Sequence, residues 1–494
     1  MNIYWGDLHN HCGISYGFGS LENALAAAKE HLDFCSVTGH AMWPDIYERC
    51  PETEFVVDFH HKGFQKLRDH WEEVRETVAK SNSEDFVTFQ GYEMHSCYYG
   101  DYHLVSPCDQ LPLIERESPE QLVKDCGCEA IAVPHHIGYT PGYRGINWAE
   151  FREEISPVVE VCSKHGCSMS ERAPFPYYHD MGPRDSHNTV EEGLRSGRHF
   201  SFVGSTDHHA GYPGSYGDGL VAVLAEEKTR DSIWKALKAG RTYAVTGDRI
   251  LCDFRINGCP SGSYVEGNSR KISCDISAEY WIDKVILYKN LKPVKIWNGE
   301  EFLANPNSGR YKIRIELGWG DSDELYHWDN QVFVKNGKVT GQNFYFRGRS
   351  VLSPTNKEES RFDQINRIEN RVVSRDESHV HWICETAKNK STLHPQTDSA
   401  VIEVEGSPET EITFLINEKQ HTKTIGELLQ YGFSEHQKPW HSQAYKVHTA
   451  VPDSSYQVHL EFTDEQKERE EDIYYMEISQ KNGQYAFLSP IYVR

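Results

Sequence analysis

Through the first half of the chain, short apolar runs alternate with stretches of helical period. The run from Ile3 ends at Asp7-Leu8-His9-Asn10-His11. A Gly-rich turn follows, Ser20 stands where a helix N-cap is needed, and Leu21, Leu25, Ala28 and Leu32 recur at helical spacing. Phe34-Cys35-Ser36-Val37-Thr38 reads as a buried strand ending at Gly39-His40. A strand–helix–strand unit of this kind predicts parallel pairing, because a parallel neighbour needs a long crossover. A loop to about Phe59 precedes a long amphipathic helix marked by Phe64, Leu67, Trp71, Val74 and Val78, its charged face in solvent. Phe86 to Phe89 leads into Gln90-Gly91-Tyr92-Glu93, and His103 follows shortly after. Beyond a short helix over 119–125, the run from Ala130 ends at Pro134-His135-His136. The run from Val158 ends at Ser163-Lys164-His165, and the run from Phe200, after a helix over 189–196, ends at Thr206-Asp207-His208-His209. Ile233 to Leu237 marks one more helix.

From about Leu251 the period changes to two, first at Phe254 and Ile256, then at Ile272, Cys274 and Ile276. Similar alternation recurs at Val401–Val404, Ile412–Ile416, Val458–Phe462 and Ile473–Ile478. Alternation broken by Gly, Pro and Asn turns predicts an antiparallel β-sandwich. The stretch 318–394 is less regular and reads as an elaboration of that sandwich. The pattern thus divides the chain into residues 1–250, of α/β type, and 251–494, of β type.

The chemistry lies where the apolar runs stop. On a strand, residues two apart share a face, so His9 and His11 can aim two imidazoles at one point, as a divalent ion requires. One such pair is a weak signal. Its weight comes from the repetition, since run after run ends in His, Glu or Asp, and sites at the carboxyl ends of parallel strands are the rule in α/β folds.

Composition narrows the partners. The 494 residues include 74 acidic and 51 basic side chains, a formal charge of −23, which disfavours nucleic acid. The first residues show no leader pattern and no apolar run reaches membrane-spanning length, so the expectation is a protein off the membrane and in the cytoplasm. The 13 cysteines lie mostly in apolar runs without a dense framework, which fits a reducing compartment and small core side chains.

Taken in order, His9-x-His11, Thr38-Gly39-His40, Gly91-Tyr92-Glu93, His103, Pro134-His135-His136 and Asp207-x-His209 resemble the PHP (polymerase and histidinol phosphatase) metallohydrolase superfamily. The opening Tyr4-Trp5-Gly6-Asp7-Leu8-His9, the stretch Gly219–Leu224 with Arg241–Ile250, and the ending Leu488–Val493 resemble its DUF3604 branch. The resemblance covers residues 1 to about 260 well and the remainder loosely. It implies a distorted (β/α)7 barrel followed by the β-sandwich, with two or three divalent ions at the strand ends. Position by position it implies His9, His11, His40, Glu93, His103, His136, Asp207 and His209 as metal ligands, with Glu93 bridging. It favours His136 over His135, and the Asp-x-His spacing favours His209 over His208. Two positions depart from the family pattern. The turn after His-x-His reads Ser15-Tyr16-Gly17 where an acidic residue is usual, and Gly39 stands where the family often has Asp. Both departures remove negative charge and point to two tightly held ions.

A mixed imidazole and carboxylate set suits Zn, Mn or Fe. Ions of this kind ready a hydroxide at neutral pH and polarise a substrate oxygen. The expected activity is that of a metal-dependent hydrolase acting on a phosphoester of a small molecule. Arg144, Lys164 and Arg172, with His135, are the candidate substrate contacts, and His165 and His208 the candidate general acids. Two other readings stay open. One is a hydrolase or lyase acting on a non-phosphate bond of a carbohydrate-like substrate, suggested by aromatic residues near Trp43, Tyr98, Tyr99, Tyr139, Tyr143 and Trp148. The other is a binding protein with structural metals. A homo-oligomer is compatible with the pattern.

Overall fold

The computed structural model describes every residue except 175–181, 183, 306, 321–323, 350–367, 388–396 and 440–441. The first half contains β1 (Asn2–Asp7), α1 (Leu21–His31), β2 (Phe34–Ser36), β3 (Gly39–Met42), α2 (Glu54–Ser81), β4 (Val87–Met94), β5 (Asp101–Ser106) and α3 (Pro119–Asp125). It continues with β6 (Ile131–His135), β7 (Val158–Ser163), β8 (Gly166–Cys167), α4 (Val190–Arg195), β9 (Ser201–Gly204), β10 (Leu220–Ala225), α5 (Arg230–Lys238) and β11 (Thr242–Val245). Ser20 caps α1 as expected, its Oγ accepting from Asn23 N at 3.2 Å. Helix α2 begins at Glu54, within the stretch expected to be loop. Its first turn exposes Phe55, so the apolar stripe that marks a helix starts only further along.

The expected distorted (β/α)7 order is only partly present. Strands β1, β2 and β4 pair in parallel, as do β3 with β4 and β7 with β9. Strand β5 runs antiparallel between β4 and β6, while β10 is antiparallel to β1 and β11 to β10. The segment joining Met94 to Asp101 is too short for a crossover, which forces β4 and β5 into a hairpin. A common interior survives nonetheless. Leu8, Phe34, Phe89, Val105, Val133, Val158, Val203 and Val221 pack into one buried cluster, covered by Trp234 and Leu237 of α5. Gly6 is required there, because a Cβ would stand 2.2 Å from the Phe34 ring.

The sheet does not stop at residue 250. Tyr485–Val493 pairs with β11, and Asp472–Gln480, Ile282–Lys289, Lys292–Asn298 and Tyr264–Val265 bring the same sheet to 13 strands among the described residues. The remaining second-half strands form a four-stranded sheet, including Leu251–Ile256 and Arg270–Ser277, and a nine-stranded sheet. The stretch read as irregular contains the 20-residue strand Tyr326–Tyr345, paired with Asp398–Ile416. Register shifts at Lys335/Gly337 and Val339/Gly341 slip its side chains from one face to the other, which erases the period-two signal. Residues 321–323, 350–367 and 388–394 of that stretch lie outside the described residues. All 13 cysteines are free thiols, eight of them buried. Among the described residues no helix is long and apolar enough to cross a membrane.

Candidate metal centre

Asp7 ends β1 and ties it to the loop after β9. Its carboxylate accepts from Thr206 Oγ1 at 2.5 Å, Thr206 N at 3.1 Å, Gly214 N at 2.9 Å and His9 N at 3.2 Å. Full burial still pushes its pKa up to about 6, against those hydrogen bonds. The tie brings Asp207 beside the imidazoles that follow β1. His11 Nε2 lies 2.9 Å from Asp207 Oδ1, 3.3 Å from Glu93 Oε2 and 3.2 Å from His9 Nε2. Asp207 and His136 hold positive φ of 51° and 54°, a costly backbone conformation for side-chain-bearing residues that recurs at functional sites.

Glu93 is the centre of the arrangement. Its Oε2 lies 3.3–3.5 Å from Nε2 of His9, His11 and His40. Its Oε1 lies 3.0 Å from His135 Nε2 and 3.2 Å from His95 Nδ1. One carboxylate therefore faces two sets of imidazoles. Donor atoms within 4.8 Å of one another form the groups His9–His103–His135, His11–His40–His209, His9–His11–Glu93, His40–Glu93–His95 and Asp101–His135–His136, all buried. Strand pairing explains part of this, since His103 lies directly across from Glu93, and Asp101 from His135. Because β5 runs antiparallel, it contributes these residues from its amino end.

The residues fit divalent ions. Two nitrogens bound tetrahedrally at about 2.05 Å stand roughly 3.3 Å apart, and His9 and His11 Nε2 are 3.2 Å apart, with Glu93 Oε2 and Asp207 Oδ1 each within 3.6 Å of both. Glu93 Oε2, His103 Nε2 and His136 Nδ1 are buried without a hydrogen-bond partner, a cost that a bound cation would remove. The protonation states of the outer imidazoles agree; His9 differs, because burial is outweighed by Asp207 and Glu160, which hold it well above the usual imidazole range. Burial, reinforced by neighbouring imidazoles, drives His40, His103 and His136 well below the usual imidazole range, and burial with Lys164 does the same to His209. These rings are neutral, the form that binds metal. Burial pushes Glu93 and Asp207 upward but is outweighed by the imidazoles around them, so both stay ionised.

The chain also supplies residues that the sequence pattern did not single out. His9 Nδ1 donates to Glu160 Oε2 at 2.9 Å, which turns Nε2 toward the cluster. His95 Nδ1 lies 3.0 Å from Asp101 Oδ2, and its Nε2 is 2.8 Å from Tyr16 Oη. The available signals were Glu93-x-His95 and Asp101-x-His103 at strand period, and a lone Glu160 inside an apolar run. Ser15 Oγ meets His40 Nδ1 at 3.0 Å, and the Tyr16 ring stacks on His40 at 3.5 Å. A Cβ at Gly39 would meet Ile14 and Leu67 side chains at 3.0 Å, so that position faces apolar packing.

The predicted residues divide as follows. His9, His11, His40, Glu93, His103, Asp207 and His209 converge. So does His135, whose Nδ1 is 3.2 Å from His103 Nδ1, whereas His136 turns toward Asp207 Oδ2 at 3.6 Å and the His165 ring. His135, the last residue of β6, thus faces Glu93, and His136 faces Asp207, while both belong to a donor group with Asp101. His165 Nε2 lies 2.9 Å from Asp207 Oδ2, and Lys164 Nζ lies 2.9 Å from His209 Nδ1. Arg144 is largely buried, with Nη1 donating to Asp101 Oδ2 at 3.0 Å and the guanidinium 5.1 Å from the centre of Trp43. Two of the predicted residues are not brought into the cluster. The His208 ring faces Gly348 and accepts from Ala210 N at 3.2 Å, away from the cluster. The Arg172 side chain is 70% exposed and its carboxylate partner is Glu191, at 3.7 Å.

Residues 215–258 match the family described as Protein of unknown function (DUF3604). This segment is DUF3604-like. Uncharacterized proteins of Chlamydia match more of the chain. One from Chlamydia pneumoniae is 30% identical over 41% of this chain and 35% of its own length. One from Chlamydia trachomatis is 29% identical over 53% and 42%. One from Chlamydia muridarum is 32% identical over 38% and 34%. The matches span about two fifths or less of those relatives. A crystal structure of a two-domain protein from Bacteroides vulgatus, described as containing a predicted PHP-like metal-dependent phosphoesterase, is similar at 16% identity and TM-score 0.33 over 58% of this chain and 79% of that one. A likeness that low carries no argument about activity.

Proposed function

We propose that the chain is a metal-dependent hydrolase of PHP type, acting on a phosphoester of a small molecule. The observation that carries this reading is Glu93, whose two oxygens face separate sets of buried imidazoles. A purely structural site is usually closed and holds one ion, and this cluster offers more donors than one ion can use. His9, His11, Glu93 and Asp207 would hold one ion. Glu93 with His103 and His135 would hold another, and His40 with His209 would add to the first set or hold a third. Divalent ions there supply an activated water and polarise a phosphoryl oxygen.

The chain's own groups do the rest. Glu160 fixes the His9 tautomer. Arg144, in a largely buried position beside His95 and Asp101, is placed to take charge that develops on the phosphoryl oxygens. His165, held by Asp207, is placed to give a proton to the leaving oxygen.

The test is metal content with turnover of an aryl phosphate, measured on the same samples for the native chain and for His9→Ala and Asp207→Ala. Two or more ions per chain, lost in the variants together with phosphate release, are expected. Bound metal without phosphate release from any ester would refute the phosphoesterase assignment and leave a hydrolase of another bond. Absence of stoichiometric metal in folded protein would refute the centre itself.

A further inference from the structure

A second feature adjoins the metal centre. Behind Lys164, a cavity of about 380 Å³ opens between the strand ends of the first half and the nine-stranded sheet. Lys164 belongs to both places, because it lines the cavity and its Nζ lies 2.9 Å from His209 Nδ1. The wall on the first-half side includes Tyr216, Gly217, Asp218 and Thr246, all within the segment that matches DUF3604.

The cavity's charges are not equally committed. Arg314 is taken up by Asp248, with both carboxylate oxygens 2.7 Å from its Nη2. Glu316 accepts from Thr397 Oγ1 at 2.7 Å and lies 2.9 Å from His448 Nε2. Arg347 differs. Its Nε donates to the Thr397 carbonyl at 2.8 Å and its guanidinium lies 4.9 Å from the centre of the Tyr216 ring; among the described residues no direct ion pair fixes it, although Asp218 and Asp398 both act on its charge. Two cations, Lys164 beside His209 and Arg347 beside Tyr216, thus line the cavity together with the acidic side chains Asp218 and Glu316 and with hydroxyl and amide groups including Thr246 and Asn482. Such a mixture suits a ligand that carries one negative charge and several hydroxyls.

We infer that this cavity receives the unreacting end of the substrate, and that this end is of sugar-acid type. Its carboxylate lies against Arg347 and Lys164 and its hydroxyls against Asp218, Thr246 and Asn482. Calling this ligand part of the substrate rests on the hydrolase reading; its chemical class rests on the cavity alone.

The experiment is titration calorimetry of the metal-loaded protein with glucuronate and with glucose, which share a ring and differ in the carboxylate. Glucuronate is expected to bind about tenfold more tightly, the size of one charge-assisted contact. Arg347→Gln should bring the two within about twofold, and Asp218→Asn should tighten glucuronate by removing a like charge. Inorganic phosphate, which addresses the metals, should bind both variants as it binds the native protein and should not displace glucuronate. Equal binding of the two sugars, a preference unchanged in both variants, or displacement by phosphate would overturn the inference. If Arg347→Gln does not fold, Asp218→Asn still decides it through its opposite sign. Retained glucuronate preference in a protein that releases no phosphate would support the ligand class while removing the phosphoesterase reading.

Discussion

The Asp248–Arg314 pair joins the two halves of the chain, and removing one partner has a calculable consequence. Arg314 lies on the strand Arg310–Gly318 of the nine-stranded sheet, and Asp248 follows β11. Asp248 also accepts from Tyr216 Oη at 2.8 Å and from Gln480 Nε2 and Asn482 Nδ2, each at 2.7 Å. Arg314 donates further to Ser399 Oγ at 2.9 Å, and both charged side chains are buried. In Asp248→Asn the guanidinium remains buried without its counter-charge, and one amide donor is turned toward other donors. Breaking a buried pair in this way costs about 3–5 kcal/mol. With an unfolding entropy of about 2.1 cal/mol/K per residue, the 494-residue chain would lose about 3–5 °C in Tm if it unfolds as one unit. Calorimetry on metal-loaded protein reads this directly. The double variant Asp248→Leu/Arg314→Leu should be less destabilised than the sum of its singles, by about 1.5 kcal/mol or more. The pH dependence has a definite sign. Burial alone would raise the Asp248 pKa, but Arg314 and the surrounding donors outweigh it and hold it below its ordinary 3.8. Its contribution is therefore fully present above pH 4 and lost as pH falls through the lower folded value. A single variant within about 1 °C of native, given the scaling above, or strictly additive singles, would refute the reasoning.

Three further outcomes are expected. Glu160→Gln should weaken zinc binding by about 10–100-fold in a chelator competition while leaving the fold intact, because it loosens the orientation of His9 rather than removing a ligand. Burial raises the Asp398 pKa to about 8, so its contribution to stability is full below pH 4 and declines as pH rises toward 8; urea midpoints at pH 5, 7 and 9 should fall with pH in the native chain and flatten in Asp398→Asn. Gly39→Asp should lower Tm without raising metal content, since the new carboxylate would be buried against Ile14 and Leu67; a gain of bound metal would contradict the apolar reading of that position.

Most of the candidate site was legible because its signals are local. His9-x-His11 is a period-two pair at the end of one strand, and Asp207-x-His209 follows the end of another. Each can be read within a few residues, and their repetition in order carried the assignment. The helix at 21–31, with its Ser20 cap, was legible for the same reason. What escaped depends on partners far apart in the chain. Glu160 sits in an apolar strand, and only the packing of β7 against the turn after β1 shows that it orients His9. That His135 faces Glu93 while His136 faces Asp207 depends on how β6 pairs with β5, which sets Asp101 across from His135.

The sequence by itself marked most of the helices and several of the strands of the first half, and the His, Glu and Asp side chains that follow those strands, because apolar periodicity and side-chain chemistry are properties of neighbours. Only the tertiary structure decided strand direction and sheet membership. Nothing in Tyr485–Val493 announces that it hydrogen-bonds to β11, some 240 residues earlier in the chain. The bulges that hide Tyr326–Tyr345 show themselves only against Asp398–Ile416. Burial and pairing across long separations settle such matters, and the same packing sets Lys164 between the metal centre and the cavity beside it.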